Sequence, residues 1–174
     1  QYCIKEVDRI GTLIDQLLML ARFESAQIES KVTEIELNQS ILYCIFRISE
    51  YSADKGIMIN FEQKNKYFVR ADSSLLDIIL ENLLSNAVKY SNQSKHIDVF
   101  LTESENEITC SIKDYGIGMN KEQLLRVFDR FYRSEEARST DASGHGIGMA
   151  IVKRLADLQN IRVKYFSEPL TGTT

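Results

Sequence analysis

Tryptophan is absent from this chain, proline occurs once and cysteine only three times. Cys3, Cys44 and Cys110 are odd in number, widely spaced and form no CxxC pair, which excludes a disulfide framework or a zinc site as the organising feature. A reducing cytosol is the compartment this usage fits. No run reaches the roughly 18 consecutive apolar residues that a membrane span requires, and no signal peptide is recognisable. These residues are therefore expected to make no membrane contact. Positive charge is not in surplus either. Lys and Arg number 21 against 25 Asp and Glu, and a net charge of −4 gives no reason to expect nucleic acid as a partner. There is no GxxxxGK[ST] phosphate loop, so any nucleotide must be held in another way. His96 and His145 are the only histidines, which limits any mechanism that needs an imidazole.

What is present is an ordinary globular balance, 44% hydrophobic and 26% charged over 174 residues. That length suits one buried domain plus an appendage. Residues 1 to about 28 read as one long helix. Val7, Ile10, Ile14, Leu17 and Ala21 recur at spacings of three and four, and Leu13, Leu18 and Leu20 widen the stripe toward that of a helical bundle. A mixed rhythm follows. A short strand is expected over Val32–Leu37 and a helix over Asn38–Lys55, stopping at Gly56. Ile57–Phe61 and Tyr67–Ala71 read as strands joined by the turn Gln63-Lys64-Asn65. Ser73 or Ser74 is the expected cap of a helix running to Tyr90. Strands are expected over His96–Leu101 and Glu107–Lys113 around the turn Ser104-Glu105-Asn106, then a helix over Gly148–Gln159 and a strand over Ile161–Phe166. The implied fold is α+β, a two-layer sandwich of helices over one mixed, mostly antiparallel sheet.

Three local patterns carry chemistry. On the helix Ser73–Tyr90, Leu76, Ile79, Leu80, Leu83 and Ala87 form an apolar face. Asn82, Asn86 and Lys89 fall at i, i+4 and i+7 on another stripe. Amide oxygens suit a hard cation and an ammonium neutralises phosphate, although such a stripe alone is more often a solvated face. Asp114-Tyr115-Gly116-Ile117-Gly118-Met119 follows a strand, so the carboxylate of Asp114 can be presented into a cavity as an acceptor for an exocyclic amine. Gly118 permits close backbone approach there; the alternative is a plain glycine turn. Gly144-His145-Gly146-Ile147-Gly148 leads into a helix whose N–H groups favour phosphate. It lacks the strand and short βαβ unit of a dinucleotide fingerprint. Between the glycine clusters, Phe128, Phe131 and Tyr132 interleave with Arg126, Arg130 and Arg133. Residues 134–143 have the composition of a mobile lid.

The order Asn-x-x-x-Asn-x-x-Lys-Tyr, Asp-x-Gly-x-Gly, Phe-Asp-Arg-Phe-Tyr-Arg and Gly-x-Gly-x-Gly resembles the N box, first glycine box, F box and second glycine box of sensor histidine kinases. These form the kinase branch of the GHKL ATPase superfamily. The segment Glu81-Asn-Leu-Leu-Ser-Asn-Ala-Val-Lys-Tyr-Ser91 is very close to that family's N box. Leu17-Leu18-Met19-Leu20-Ala21-Arg22-Phe23-Glu24 is similar to the second helix of its dimerisation and phosphotransfer hairpin.

The resemblance implies a GHKL-type fold over 29–174, preceded by that hairpin helix over 1–28. It also implies ATP and Mg2+ as cofactors. Asn86 would ligate the magnesium, with Asn82 beside metal and phosphates. Lys89 would contact phosphate, Tyr90 would lie against adenine and Asp114 would read the adenine amine between Gly116 and Gly118. Arg133 would approach the γ-phosphate. His145, Gly146 and Gly148 would offer backbone to phosphates beneath a lid spanning 134–145. Hydrolysing relatives carry a glutamate at the position of Asn82, and an amide takes no proton at neutral pH. Glu81 is rotated by roughly 100° from it. Transfer to histidine is therefore favoured over hydrolysis. The implied setting is the cytoplasmic portion of an inner-membrane sensor, homodimeric and serving a response regulator. The family's acceptor histidine would lie ahead of Gln1, and the family's final strand is expected to be missing. His96 reads as a surface residue.

Overall fold

The computed structural model describes residues 2–24, 30–91, 96–105, 107–139 and 144–174. The opening helix α1 spans Tyr2–Glu24, and the expected positions 1 and 25–28 lie outside the described residues. Next come β1 (Thr33–Glu36), α2 (Leu37–Arg47), α3 (Ser49–Asp54), β2 (Met58–Phe61), β3 (Phe68–Ala71) and α4 (Ser73–Tyr90). The second half holds β4 (His96–Ser104), β5 (Glu107–Lys113), α5 (Lys121–Arg126), α6 (Glu135–Ser139), α7 (Gly148–Leu158), β6 (Ser167–Glu168) and β7 (Gly172–Thr173). No helix among the described residues is long and apolar enough to cross a membrane.

The main sheet has the order β2-β4-β5, with β2 parallel and β5 antiparallel to β4, so it is mixed as expected. β1 pairs antiparallel with β3, and β6 with β7. β2 and β3, adjacent in sequence across a polar turn, thus belong to different sheets. Two further expectations are corrected. The helix over Asn38–Lys55 breaks at Ile48 (ψ 5°), where the Ser49 hydroxyl donates to the Phe46 carbonyl and competes with the helical ladder. Residues 161–166 keep the alternating burial of a strand but have no ladder partner among the described residues; pairing begins only where Phe166 and Thr174 exchange backbone hydrogen bonds. A strand is defined by its neighbour as much as by its own pattern.

Helix α4 organises the interior. Its Leu76, Leu80, Leu84, Ala87 and Val88 join Leu37, Ile41, Cys44, Ile97 and Val99 in a core between helices and sheets. Its Leu75 and Ile79 join Leu20 and Phe23 of α1 and Ile151, Val152 and Leu155 of α7 in a second core. Ile79 therefore belongs to the stripe that continues through Asn82 and Asn86, rather than to the opposite apolar face. That stripe is apolar against the body of α7 and turns polar where it meets the α7 N-terminus. The helix is capped by Asp72, not by a serine: its carboxylate accepts from Ser74 N (3.1 Å) and Leu75 N (3.2 Å).

Candidate nucleotide-binding site

A cavity of about 930 Å³ is lined by Asn82, Asn86, Lys89, Tyr90, Asp114, Gly118, Arg133, His145, Gly146 and Gly148, among other residues. All but one of the candidate residues read from the sequence thus line one space. The remaining one, Gly116, packs behind it: a Cβ there would stand 2.0 Å from the Tyr90 carbonyl oxygen. The Ile117 N–H donates to that same carbonyl at 3.2 Å, so the C-terminus of α4 and the first glycine cluster are fastened backbone to backbone. At Gly118 (φ +62°) a side chain would meet the Glu168 carbonyl at 1.9 Å.

At one end sits Asp114, buried, with Oδ1 accepting from Gly116 N (2.9 Å) and Thr173 N (3.2 Å). Among the described residues no donor reaches Oδ2. Burial raises its pKa from the ordinary carboxylate value, and the two backbone donors only partly offset this. A carboxylate with one oxygen fixed and the other free is built to accept an amine hydrogen from a ligand. Thr173 had no local signal in the sequence; only the return of the β6–β7 hairpin brings it here.

Asn82 and Asn86 show how a polar stripe becomes a site. Asn82 Nδ2 donates to the Ile78 carbonyl at 2.8 Å, and Asn86 Nδ2 donates to Met149 Sδ at 2.9 Å. Each NH2 group donates a hydrogen to protein, and among the described residues no donor reaches either Oδ1. Two uncommitted amide oxygens on one wall fit a hard divalent cation. No cluster of three or more His, Cys, Asp or Glu among the described residues could hold a metal. Glu81 is absent from the lining, and its Oε1 pairs with Arg47 Nε at 2.9 Å on the α2 side.

The second glycine cluster closes the other end. Gly148 opens α7, whose N-cap Ile147 supplies no side-chain hydrogen bond, so the first N–H groups are left for another acceptor. A Cβ at Gly148 would lie 2.6 Å from Asn82 Oδ1, and one at Gly144 would lie 2.1 Å from Lys89 Nζ, which places amide and ammonium directly under this turn. Gly146 (φ +71°) accepts from Phe131 N at 2.8 Å, and Phe131 itself takes φ +62°, a rare conformation for an aromatic residue. Arg133 donates to the Ala137 carbonyl in α6. Burial raises the Tyr90 pKa, although the Arg133 guanidinium acts on that hydroxyl to lower it. The lid expected over 134–145 contains α6, while its residues 140–143 lie outside the described set.

Residues 71–174 match the family model described as histidine kinase-, DNA gyrase B- and HSP90-like ATPase. The chain is 30% identical over 169 residues to the sensor-like histidine kinase SenX3 of Mycobacterium tuberculosis, covering 97% of this chain and 41% of that protein. It is 32% identical over 174 residues to the sensor protein kinase WalK of Staphylococcus aureus, covering 98% and 41%. The chain thus spans about two fifths of these curated relatives. Full-length ShkA in complex with AMPPNP shares the fold, with a TM-score of 0.83 at 24% identity over 97% of this chain and 35% of that one. The mycobacterial sensor histidine kinase MprB superposes with a TM-score of 0.67 at 26% identity, covering 82% and 92%. With a family model matched over residues 71–174 and relatives at 30% identity or more across nearly the whole chain, the chain belongs to the histidine kinase-, DNA gyrase B- and HSP90-like ATPase family, as a homologue of the ATP-binding catalytic domains of two-component sensor kinases.

Proposed function

We propose that this chain is the ATP-binding kinase core of a bacterial two-component sensor histidine kinase. It would transfer the γ-phosphate of ATP to a histidine on a helix ahead of Gln1, for onward transfer to a response regulator aspartate. Residues 1–28 would be the second helix of the dimerisation hairpin, and 29–174 the catalytic domain on the cytoplasmic side of a sensor. The observation that carries this reading is the pair of amide oxygens of Asn82 and Asn86 facing the same cavity as the buried carboxylate of Asp114.

In this reading Asp114 Oδ2 accepts from the adenine amine while Gly116 and Gly118 let the backbone close around the base. Tyr90 flanks the base. Asn86 holds the magnesium through Oδ1 with Asn82 beside it; the ion supplies charge neutralisation on the phosphates. Lys89, with its ammonium beneath Gly144, contacts a phosphate, and the N–H groups of Gly146 and Gly148, together with the backbone of His145, receive phosphate oxygens. Arg133, which lines the cavity and donates to the Ala137 carbonyl of α6, would approach the γ-phosphate. Phosphoryl transfer needs such positioning and charge neutralisation more than covalent chemistry. The amide at 82 takes no proton from water at neutral pH, and Glu81 beside it is turned toward Arg47, which disfavours hydrolysis.

The test is labelling with γ-labelled ATP. The present chain should take no acid-labile phosphate and turn ATP over slowly. A chain extended upstream through the family's acceptor helix should label on histidine. Rapid turnover by the present chain, or phosphoserine on an added partner, would instead indicate a nucleotide-gated interaction module.

A further inference from the structure

The carboxamide of Asn86 is held by sulfur. Its Nδ2 donates to Met149 Sδ at 2.9 Å, and the same sulfur accepts the Tyr165 hydroxyl at 3.6 Å. Tyr165 is half-buried, and its ring meets Phe128 edge-on with centroids 5.4 Å apart. Met149 therefore joins α4, α7 and the extended segment after α7 at a single atom. Among the described residues no other acceptor reaches Asn86 Nδ2.

The two ends of a carboxamide are nearly equal in size, so packing alone does not decide which faces a cavity. Chemistry decides it. A thioether sulfur carries lone pairs and no hydrogen, so it stabilises only the orientation with NH2 on sulfur and Oδ1 turned away. Turned over, the amide would set oxygen against sulfur and present N–H hydrogens to the space where a cation would be held. Asn82 solves the same problem with a backbone carbonyl, through its bond to Ile78. Asn86, one turn later, has only the sulfur.

We propose that Met149 is the positioning residue of the metal-binding amide: its sulfur, fixed in turn by the Tyr165 hydroxyl, keeps Asn86 Oδ1 directed at the magnesium. The inference rests on the reading of Asn86 as the magnesium ligand. Met149 acts through Asn86, so its contribution belongs to the magnesium-dependent part of nucleotide binding and to no other part.

The test is calorimetric titration of ADP with and without magnesium into the unaltered chain and into Met149→Leu, Met149→Gln and Asn86→Ala, with a thermal melt of each. Leucine fills nearly the same volume without an acceptor, and glutamine restores an acceptor oxygen at similar reach. Met149→Leu should cut the factor by which magnesium tightens ADP binding by about three- to tenfold. Its magnesium-free affinity and melting temperature should stay unchanged, and Met149→Gln should recover most of the factor. A purely packing role would weaken both affinities together and would not be rescued by glutamine; that result overturns the proposal. If Asn86→Ala loses the magnesium factor while Met149→Leu keeps it, Asn86 is the ligand but sulfur does not position it. If Asn86→Ala keeps it, the ligand reading has failed and the inference falls with it.

Discussion

Burial holds the Asp114 carboxyl above its ordinary range even though two backbone N–H groups point at it. A raised pKa in the folded chain means that ionising Asp114 costs stability, a cost absent below the unfolded value of about 3.9 and fully present above the folded one. Asp114→Asn is therefore expected to raise the melting temperature at neutral pH while weakening adenine binding; a lower melting temperature would contradict this. The same shift sets a pH window for binding. An amine donor needs the ionised carboxylate, so ADP affinity should begin to fall on acidification at a pH above the usual carboxylate range, and the Asp114→Asn variant should lack that step. Cys44 supplies a second check at this scale. It has no solvent exposure, and burial, with help from Asp77 and Glu81, raises its thiol pKa to about 12. It should resist alkylation by iodoacetamide at neutral pH until the chain unfolds, and rapid native-state labelling would contradict the packing of α2 on α4. The candidate ligand-facing residues were legible in the sequence because each lies within a short motif with fixed local spacing. Their partners were less so. Met149 sits inside the second glycine cluster, yet nothing in its spacing says that its sulfur meets Asn86, and Thr173 reaches Asp114 only through the tertiary fold.

Among the elements, α4 shows most directly how sequence becomes site. Its bounds, Ser73–Tyr90, agree with the expected ones because its periodicity is local, although its cap differs from the expected serine. The capping residue is Asp72, whose carboxylate also accepts from Lys31 N at 2.8 Å and whose own N–H donates to Gln159 Oε1 at 2.7 Å. Burial works to raise this carboxyl, but hydrogen bonds from Ser74, Lys31 and Leu75 outweigh it and hold the pKa below the usual value. The stability it contributes is present above the unfolded pKa and is lost as pH falls through the folded one. Asp72→Ala should cost about 1–2 kcal/mol at neutral pH, with the difference from the unaltered chain shrinking in acid. Denaturant titration at two pH values measures both. Strand partners were the least legible elements. β2 and β3 look like neighbours along the chain, but pairing is chosen by the whole sheet, and residues 161–166 alternate like a strand without a ladder partner among the described residues. The break at Ile48 had a local cause in Ser49, a residue type that does not by itself end a helix.

On the scale of the whole molecule, the two cores divide the labour. One joins helices to sheet, and the other clamps the end of α1 to α4 and α7 through Leu20 and Phe23, aided by Arg154 Nε donating to the Phe23 carbonyl at 2.9 Å. Earlier in α1 the apolar stripe is uncovered: Ile10 is 55% and Ile14 50% exposed, with Val7 and Leu18 exposed beside them. A stripe of this kind is expected to self-associate. Sedimentation equilibrium should show concentration-dependent dimerisation that Ile10→Lys combined with Ile14→Lys removes, with ADP binding unaffected. A monomer at all concentrations would contradict that expectation.

In the proposed function the cavity holds a magnesium nucleotide with its adenine on Asp114. Calorimetric titration of ADP and ATP, with and without magnesium, into this chain and its Asp114→Asn variant tests it most directly. Loss of a hydrogen bond to a charged acceptor costs about 1.5–3 kcal/mol, roughly tenfold to a hundredfold in affinity. Binding should be magnesium-linked and should weaken by that factor in the variant. Equal affinity of the two proteins, or binding indifferent to magnesium, would contradict it.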